Sequence, residues 1–158
     1  GMLARCLHDV LGPATLLDSS PAMVEVASKA LVAEGLGDWS AAVADLSEGI
    51  PGGPYELALA QMFLHHVDDV PALLRALRRA MTPGGVVVIA DLDHDAAKRY
   101  HATAVDFHGH HGFCRGELRG WLEKAGYRDI CFHDAGVVGK EVDGERQDFP
   151  MFLAVAKA

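Results

Sequence analysis

The chain has 158 residues, half of them hydrophobic and 23% charged, and its 22 acids against 14 bases leave a formal net charge of -8. That length suits one domain with a single sizeable core, burying roughly 68–70% of the unfolded chain's surface, and the composition excludes a disordered polar tract. Acidic charge without a dense Lys/Arg cluster argues against nucleic acid or an anionic membrane as partner, and no run approaches the about 18 apolar residues of a membrane helix.

No basic-apolar-small leader pattern opens the chain, so a cytoplasmic location is expected. Gly1 ahead of Met2 reads as the remnant of a removed tag, which places the domain at 2–158. Cys6, Cys114 and Cys131 are odd in number and lack CxxC spacing, so free and mostly buried thiols are expected.

In chain order, Leu3, Cys6, Leu7, Val10 and Leu11 form a helical stripe over Met2–Leu11 that Gly12-Pro13 stops. Thr15-Leu-Leu17 reads as a buried parallel strand ending in Asp18, and Ser19-Ser20-Pro21 supplies an N-cap with proline at the first helical position. Asp18 either ends the strand and caps the helix, or accepts the ribose hydroxyls of a nucleotide-like cofactor outside the carboxyl end of a sheet. A second helix spans about Pro21 to Glu34, and Trp39 to Ala44 repeats the pattern of a short apolar strand followed by an acid, Asp45.

Tyr55 to Phe63 suits a strand buried on both faces. A third helix starts at Asp69-Val70-Pro71 and runs to about Met81. Thr82-Pro-Gly-Gly85 is a turn, Val86 to Ala90 is the clearest strand, and Asp91 and Asp93 behind it read as solvated caps. Asp95 to Phe107 is weakly helical, Arg115 to Ala125 is an amphipathic helix closed by Gly126, and Tyr127 to Phe132 and Phe149 to Val155 are late strands around a charged, mobile segment from Gly136 to Asp148. The alternation predicts an α/β fold with a mostly parallel sheet, helices on both faces and one antiparallel edge strand.

Several stretches, in order, resemble the motifs of the class I S-adenosylmethionine-dependent methyltransferases. These are Leu16-Leu-Asp-Ser-Ser-Pro-Ala-Met23, Ala44-Asp-Leu46, Leu57-Ala-Leu-Ala-Gln-Met-Phe-Leu-His-His-Val-Asp68, Leu77 to Asp91, and Gly112 to Tyr127. The resemblance implies a three-layer Rossmann-like sheet and S-adenosylmethionine as cofactor. It also implies that Asp18, with Ser19 beside it, takes the ribose hydroxyls and that Met23 packs near the adenosine. Asp45 would accept from the adenine amino group, the Leu46 backbone N–H would face the ring, and Gln61 and Met62 would line the methionine end. Hydrogen-bond chemistry agrees, since the hydroxyls and the exocyclic amine are donors that carboxylates accept.

The family's glycine-rich turn should stand about 20 residues before the ribose acid, and Met2–Leu11 matches the helix after that turn. The resemblance therefore lacks the first strand, which in the family lies between the strands corresponding to Leu16 and Leu57. Unpaired strand edges in a core cost roughly 1–3 kcal/mol per buried polar group. Either the two strands close up by about 4.8 Å, or a partner chain covers the gap in a homodimer.

Histidine is abundant, at nine residues, with His101, His108, His110 and His111 in one segment and His65-His66 at a strand end. His66, His110 and His111 are the candidate general bases for deprotonating a methyl acceptor. The spacing matches no recognised zinc pattern, and no metal ligand is assigned. The leading expectation is methyl transfer to a small-molecule acceptor. The alternative is a non-catalytic homodimeric binding module of the same family, and a third is a metal-dependent hydrolase-like site built from the histidines.

Overall fold

The computed structural model describes residues 2–102 and 106–158. The chain divides into two compact units, Gly1–Pro51 and Gly52–Ala158.

The first unit holds α1 (Met2–Cys6), β1 (Thr15–Asp18), α2 (Pro21–Ala33) and β2 (Ser40–Val43). β1 and β2 pair in parallel from Thr15 with Ser40 to Asp18 with Val43. Ser20 starts α2 as expected: its hydroxyl accepts the Met23 N–H at 3.4 Å, and Pro21 fills a position whose N–H would have no helical partner. Leu31, Trp39 and Ala44 are the buried apolar residues. The first helix is shorter than its stripe suggested, with only single turns over residues 7–11. Val10 is 79% exposed and Leu7 is exposed as well, so the second half of the stripe buries little apolar surface and adds little to a short helix.

The second unit runs β3 (Tyr55–Gln61), a 3-10 turn (Leu64–His66), α3 (Val70–Arg79), β4 (Met81–Leu92), α4 (Arg115–Lys124), β5 (Arg128–Val142) and β6 (Glu145–Lys157). Its sheet has the order β3-β4-β6-β5, with β3 and β4 parallel and β6 antiparallel to both β4 and β5. The mixed α/β sheet is the expected class. Its antiparallel strand, β6, lies second from the edge, with β5 outside it.

Val87, Ile89, Ala90, Asp91 and Leu92 of β4 are all buried. Asp69 caps α3 by accepting the Ala72 N–H at 2.8 Å, and Val70, Leu73 and Leu74 turn inward, each such side chain contributing roughly 1.5–3 kcal/mol of burial. α4 buries Leu118 and Leu122, and Gly126 follows it with φ +92°.

Several expectations change. β4 begins at Met81, because a register shift between Tyr55 and Leu57 absorbs the Thr82–Gly85 turn within the ladder. The segment from Gly136 to Asp148 is paired strand: Val137 opposes Pro150 and Val142 opposes Glu145 across an Asp143-Gly144 turn with φ of 54° and 80°. No helix forms over residues 95–102. The Asp95 carboxylate takes the N–H groups of Ala97 and Tyr100, which competes with helical bonding, and Lys98 has φ +56°; residues 103–105 of the same expected helix lie outside the described residues. All three cysteines are free as expected but exposed, since they stand at the open face of a short helix, at a helix N-cap and on the outer strand β5.

Among the described residues β1 pairs only with β2 and β3 only with β4. Each strand satisfies one edge inside its own unit.

Candidate functional site

In the first unit, parallel pairing brings two carboxylates to one end of a sheet. Asp18 ends β1 opposite Val43, and Asp45 follows β2 two residues beyond Val43. Asp18 is exposed and uses Oδ1 to accept the Ser20 N–H at 2.9 Å, which fixes the carboxylate at the mouth of α2. Asp45 Oδ1 accepts the Ser47 hydroxyl at 2.6 Å and the Ser47 N–H at 2.9 Å, and these bonds hold its carboxyl below the usual range. Ser19 and Met23 are exposed around Asp18, Met23 in the first turn of α2, and Leu46 is half-buried beside Asp45. The structure therefore gathers Asp18, Ser19, Met23, Asp45 and Leu46 in one unit as acceptors beside apolar contact, which suits a ligand carrying hydroxyl and amine donors.

In the second unit, Gln61 ends β3 exposed, and Met62 follows in the left-handed region at φ +48°. A non-glycine residue there costs roughly 1–2 kcal/mol. Two interactions hold it: its N–H bonds the Ala90 carbonyl at 2.8 Å, and its side chain packs on the cluster of Leu92, Val142 and Phe149.

The 3-10 turn that follows carries His65 and His66. His65 is 2% exposed and Asp91 is fully buried; the His65 Nδ1–H donates to Asp91 Oδ1 at 2.6 Å and the His65 backbone N–H to Asp91 Oδ2 at 3.3 Å. Asp91 is thus no solvated cap, because the chain returns over it and supplies donors. Asp93 is held by a two-pronged bond from Arg115, both contacts 2.7 Å, and Arg115 reaches Asp134 at 2.8 Å as well.

The loop of residues 106–113 lies on this turn. His110 donates its backbone N–H to the His65 carbonyl at 2.8 Å, and the Phe107 ring stacks on His101 at 3.6 Å between centroids. His101 in turn stands 5.2 Å from His65, 6.4 Å from His66 and 5.6 Å from His111. Burial first, and then the neighbouring His65, His111, Lys140 and His66, push the His101 proton affinity down to about 4. His66 is exposed, and burial of part of its ring followed by His65 lowers its affinity while Asp91 raises it. His111 is lowered by burial first. The Nδ1 atoms of His101 and His111 are buried without a hydrogen-bond partner among the described residues. Of the three candidate bases, the structure thus places His66 and His111 at the edge of one histidine cluster, while the His110 ring turns toward Phe113 and Trp121, at 5.1 and 6.3 Å. Neutral imidazoles accept protons near pH 7, which is the chemistry this cluster offers. Among the described residues no group of three or more His, Cys, Asp or Glu is arranged to hold a metal ion.

A cavity of about 210 Å³ opens beside the cluster, with Asp93, Asp95, Arg99, Tyr100 and Phe149 in its walls. Sequence reasoning missed the Asp91–His65 pair and the Arg115–Asp93 fork. The available signal for the first was that Asp91 ends its apolar strand as Asp18 does.

The family described as methyltransferase domain matches residues 1–131. No curated protein sequence matches the chain. Among solved structures the chain is similar to the YcgJ protein from Bacillus subtilis, at 13% identity and a TM-score of 0.79 over 99% of this chain and 87% of that one. It is also similar to phosphoethanolamine N-methyltransferase 2 of Haemonchus contortus in complex with S-adenosyl-L-methionine, at 17% identity and a TM-score of 0.77 over 98% of this chain and 45% of that one. A SAM-dependent methyltransferase from Methanosarcina mazei matches at 17% identity and a TM-score of 0.72, over 92% of this chain and 81% of that one.

Proposed function

Because the chain belongs to the methyltransferase-domain family, we propose that it binds S-adenosylmethionine and transfers a methyl group to a small-molecule acceptor. The observation that carries this reading is the pair of exposed acceptors, Asp18 and Asp45, one strand apart at the carboxyl end of a parallel ladder. Asp18, anchored through Oδ1, has a second oxygen to offer ribose hydroxyls, and the ionised Asp45 accepts from an exocyclic amine. Ser19, Met23 and Leu46 flank them, and Gln61 and Met62 serve the methionine moiety.

When bound, the cofactor supplies an electrophilic methyl group on a sulfonium. The chain's own task is to orient the acceptor and take up its proton. His66, exposed on its turn and held neutral at pH 7, is the first candidate for that proton; His111, and His110 beyond it, are the others. Orientation carries most of the rate in such a displacement.

Equilibrium dialysis with methyl-tritiated S-adenosylmethionine tests the reading. Saturable binding displaced by S-adenosylhomocysteine supports it, and a folded chain that binds neither at millimolar concentration contradicts it.

A second reading, a non-catalytic homodimeric module, draws on β3, whose residues Leu57–Gln61 have a ladder on the β4 side alone among the described residues. A strand edge that its own unit leaves without a ladder can take up a further strand through the same backbone bonds. A concentration-independent dimer in sedimentation, together with failed cofactor binding, would favour it. No helix among the described residues is long and apolar enough to cross a membrane.

A further inference from the structure

Asp91 is fully buried at the end of β4, and a carboxylate at that depth costs several kcal/mol unless donors surround it. Here it collects three N–H groups: the His65 ring at 2.6 Å, the Leu92 backbone at 2.8 Å and the His65 backbone at 3.3 Å. An apolar pair of equal volume would fill the space without that cost. The polar pair has one consequence that an apolar pair lacks. A carboxylate at Nδ1 keeps that nitrogen protonated as the donor and fixes the plane of the His65 ring. The next residue, His66, places its ring 4.1 Å from that of His65, tilted by 42°, and stands exposed. The turn is itself pinned, with the His66 N–H on the Phe63 carbonyl and the Val67 N–H on that of Leu64, both at 3.0 Å. Asp91, His65 and His66 thus form a line from the sealed core to solvent.

We propose that Asp91 and His65 are positioning residues for His66, holding the His65 ring with its Nδ1–H on Asp91 and setting the orientation and charge environment of the exposed imidazole. His66 is faced by His65 on its own turn, Asp91 from β4, the His101 ring at 6.4 Å and the apolar Phe107 ring at 5.7 Å. Asp91 is the anion among them. Its charge raises the proton affinity that burial and His65 lower. The catalytic significance rests on the methyl-transfer reading, but the positioning itself does not.

Imidazole nitrogen NMR on the full chain between pH 5 and 8 tests it without any ligand, so its failure is distinct from failed cofactor binding. The expected result is a His65 ring whose Nδ1 carries a proton throughout that range, and in Asp91→Asn a His66 titration midpoint lowered from that of the parent. A His66→Gln variant assigns the His66 signal. A His65 ring protonated at Nε2 alone in the unaltered chain, or a His66 midpoint unchanged in a folded Asp91→Asn protein, overturns the proposal. If Asp91→Asn does not fold, the His65 Nδ1 proton in the unaltered chain decides.

Discussion

The His110 backbone N–H bonds the His65 carbonyl at 2.8 Å, and it reaches that carbonyl only because the residue before it is glycine. A Cβ on Gly109 would lie 2.1 Å from the His65 oxygen and 2.7 Å from the Phe107 ring. The nearer of the two is a backbone oxygen, which cannot swing aside as a side chain can.

Gly109→Ala should therefore lift the loop, break the His110–His65 bond and cost roughly 1–3 kcal/mol. Urea unfolding gives the energy, and amide exchange at His110 gives the location. Unchanged stability with a protected His110 amide would show that the bond forms without glycine at this position.

Asp91→Ala leaves the buried His65 ring without its acceptor and the backbone N–H of Leu92 without its own. Removing one partner of a buried pair costs about 3–5 kcal/mol, whereas Asp91→Asn keeps an acceptor oxygen and should cost less. Equal losses for both, measured by urea denaturation at pH 7, would deny the pair its structural weight.

His101 gives the fold an acid limit. Its folded-state affinity lies at about 4, below the unfolded value of 6.5, so between those values the unfolded chain binds the additional proton. The stability from keeping this ring neutral is complete above pH 6.5 and declines as pH falls toward 4. Between pH 6.5 and 4.5 the loss is about 2 kcal/mol. In His101→Phe, which preserves the stack on Phe107, the same interval should show a smaller loss. An identical pH profile for both proteins would contradict the assignment.

Arg115 fastens the segment after β4 to the start of α4 through Asp93. Arg115→Lys keeps the charge but loses the two-pronged geometry, and should cost roughly 0.5–1.5 kcal/mol. A lysine variant as stable as the parent by thermal unfolding would show that charge alone suffices.

Much of this arrangement is legible along the chain where the signal is local. Ser20-Pro21 marks the start of α2, Asp69 with Pro71 that of α3, and Val86 to Ala90 is strand by composition. The Asp143-Gly144 turn was a readable hairpin signal, yet the charged residues around it suggested a loop; cross-strand pairs such as Lys140 with Gln147 and Glu141 with Arg146 account for those polar residues on a hairpin. Asp18 and Asp91 end apolar strands in the same way and meet opposite fates. What separates them is a histidine 26 residues before Asp91 that folds back over it, a long-range contact no periodicity encodes. The exposed cysteines follow the same rule, since local apolar character does not say which surface another element will cover.

The role proposed for Asp18, as acceptor for the ribose of S-adenosylmethionine, is tested by calorimetric titration of the parent, Asp18→Asn and Asp18→Ala proteins with S-adenosylhomocysteine. A hydrogen bond to a charged acceptor contributes about 1.5–3 kcal/mol, so affinity should fall about ten-fold or more in Asp18→Ala, and less in Asp18→Asn, with both variants folded. Parent-like affinity in a folded Asp18→Ala protein would contradict the account.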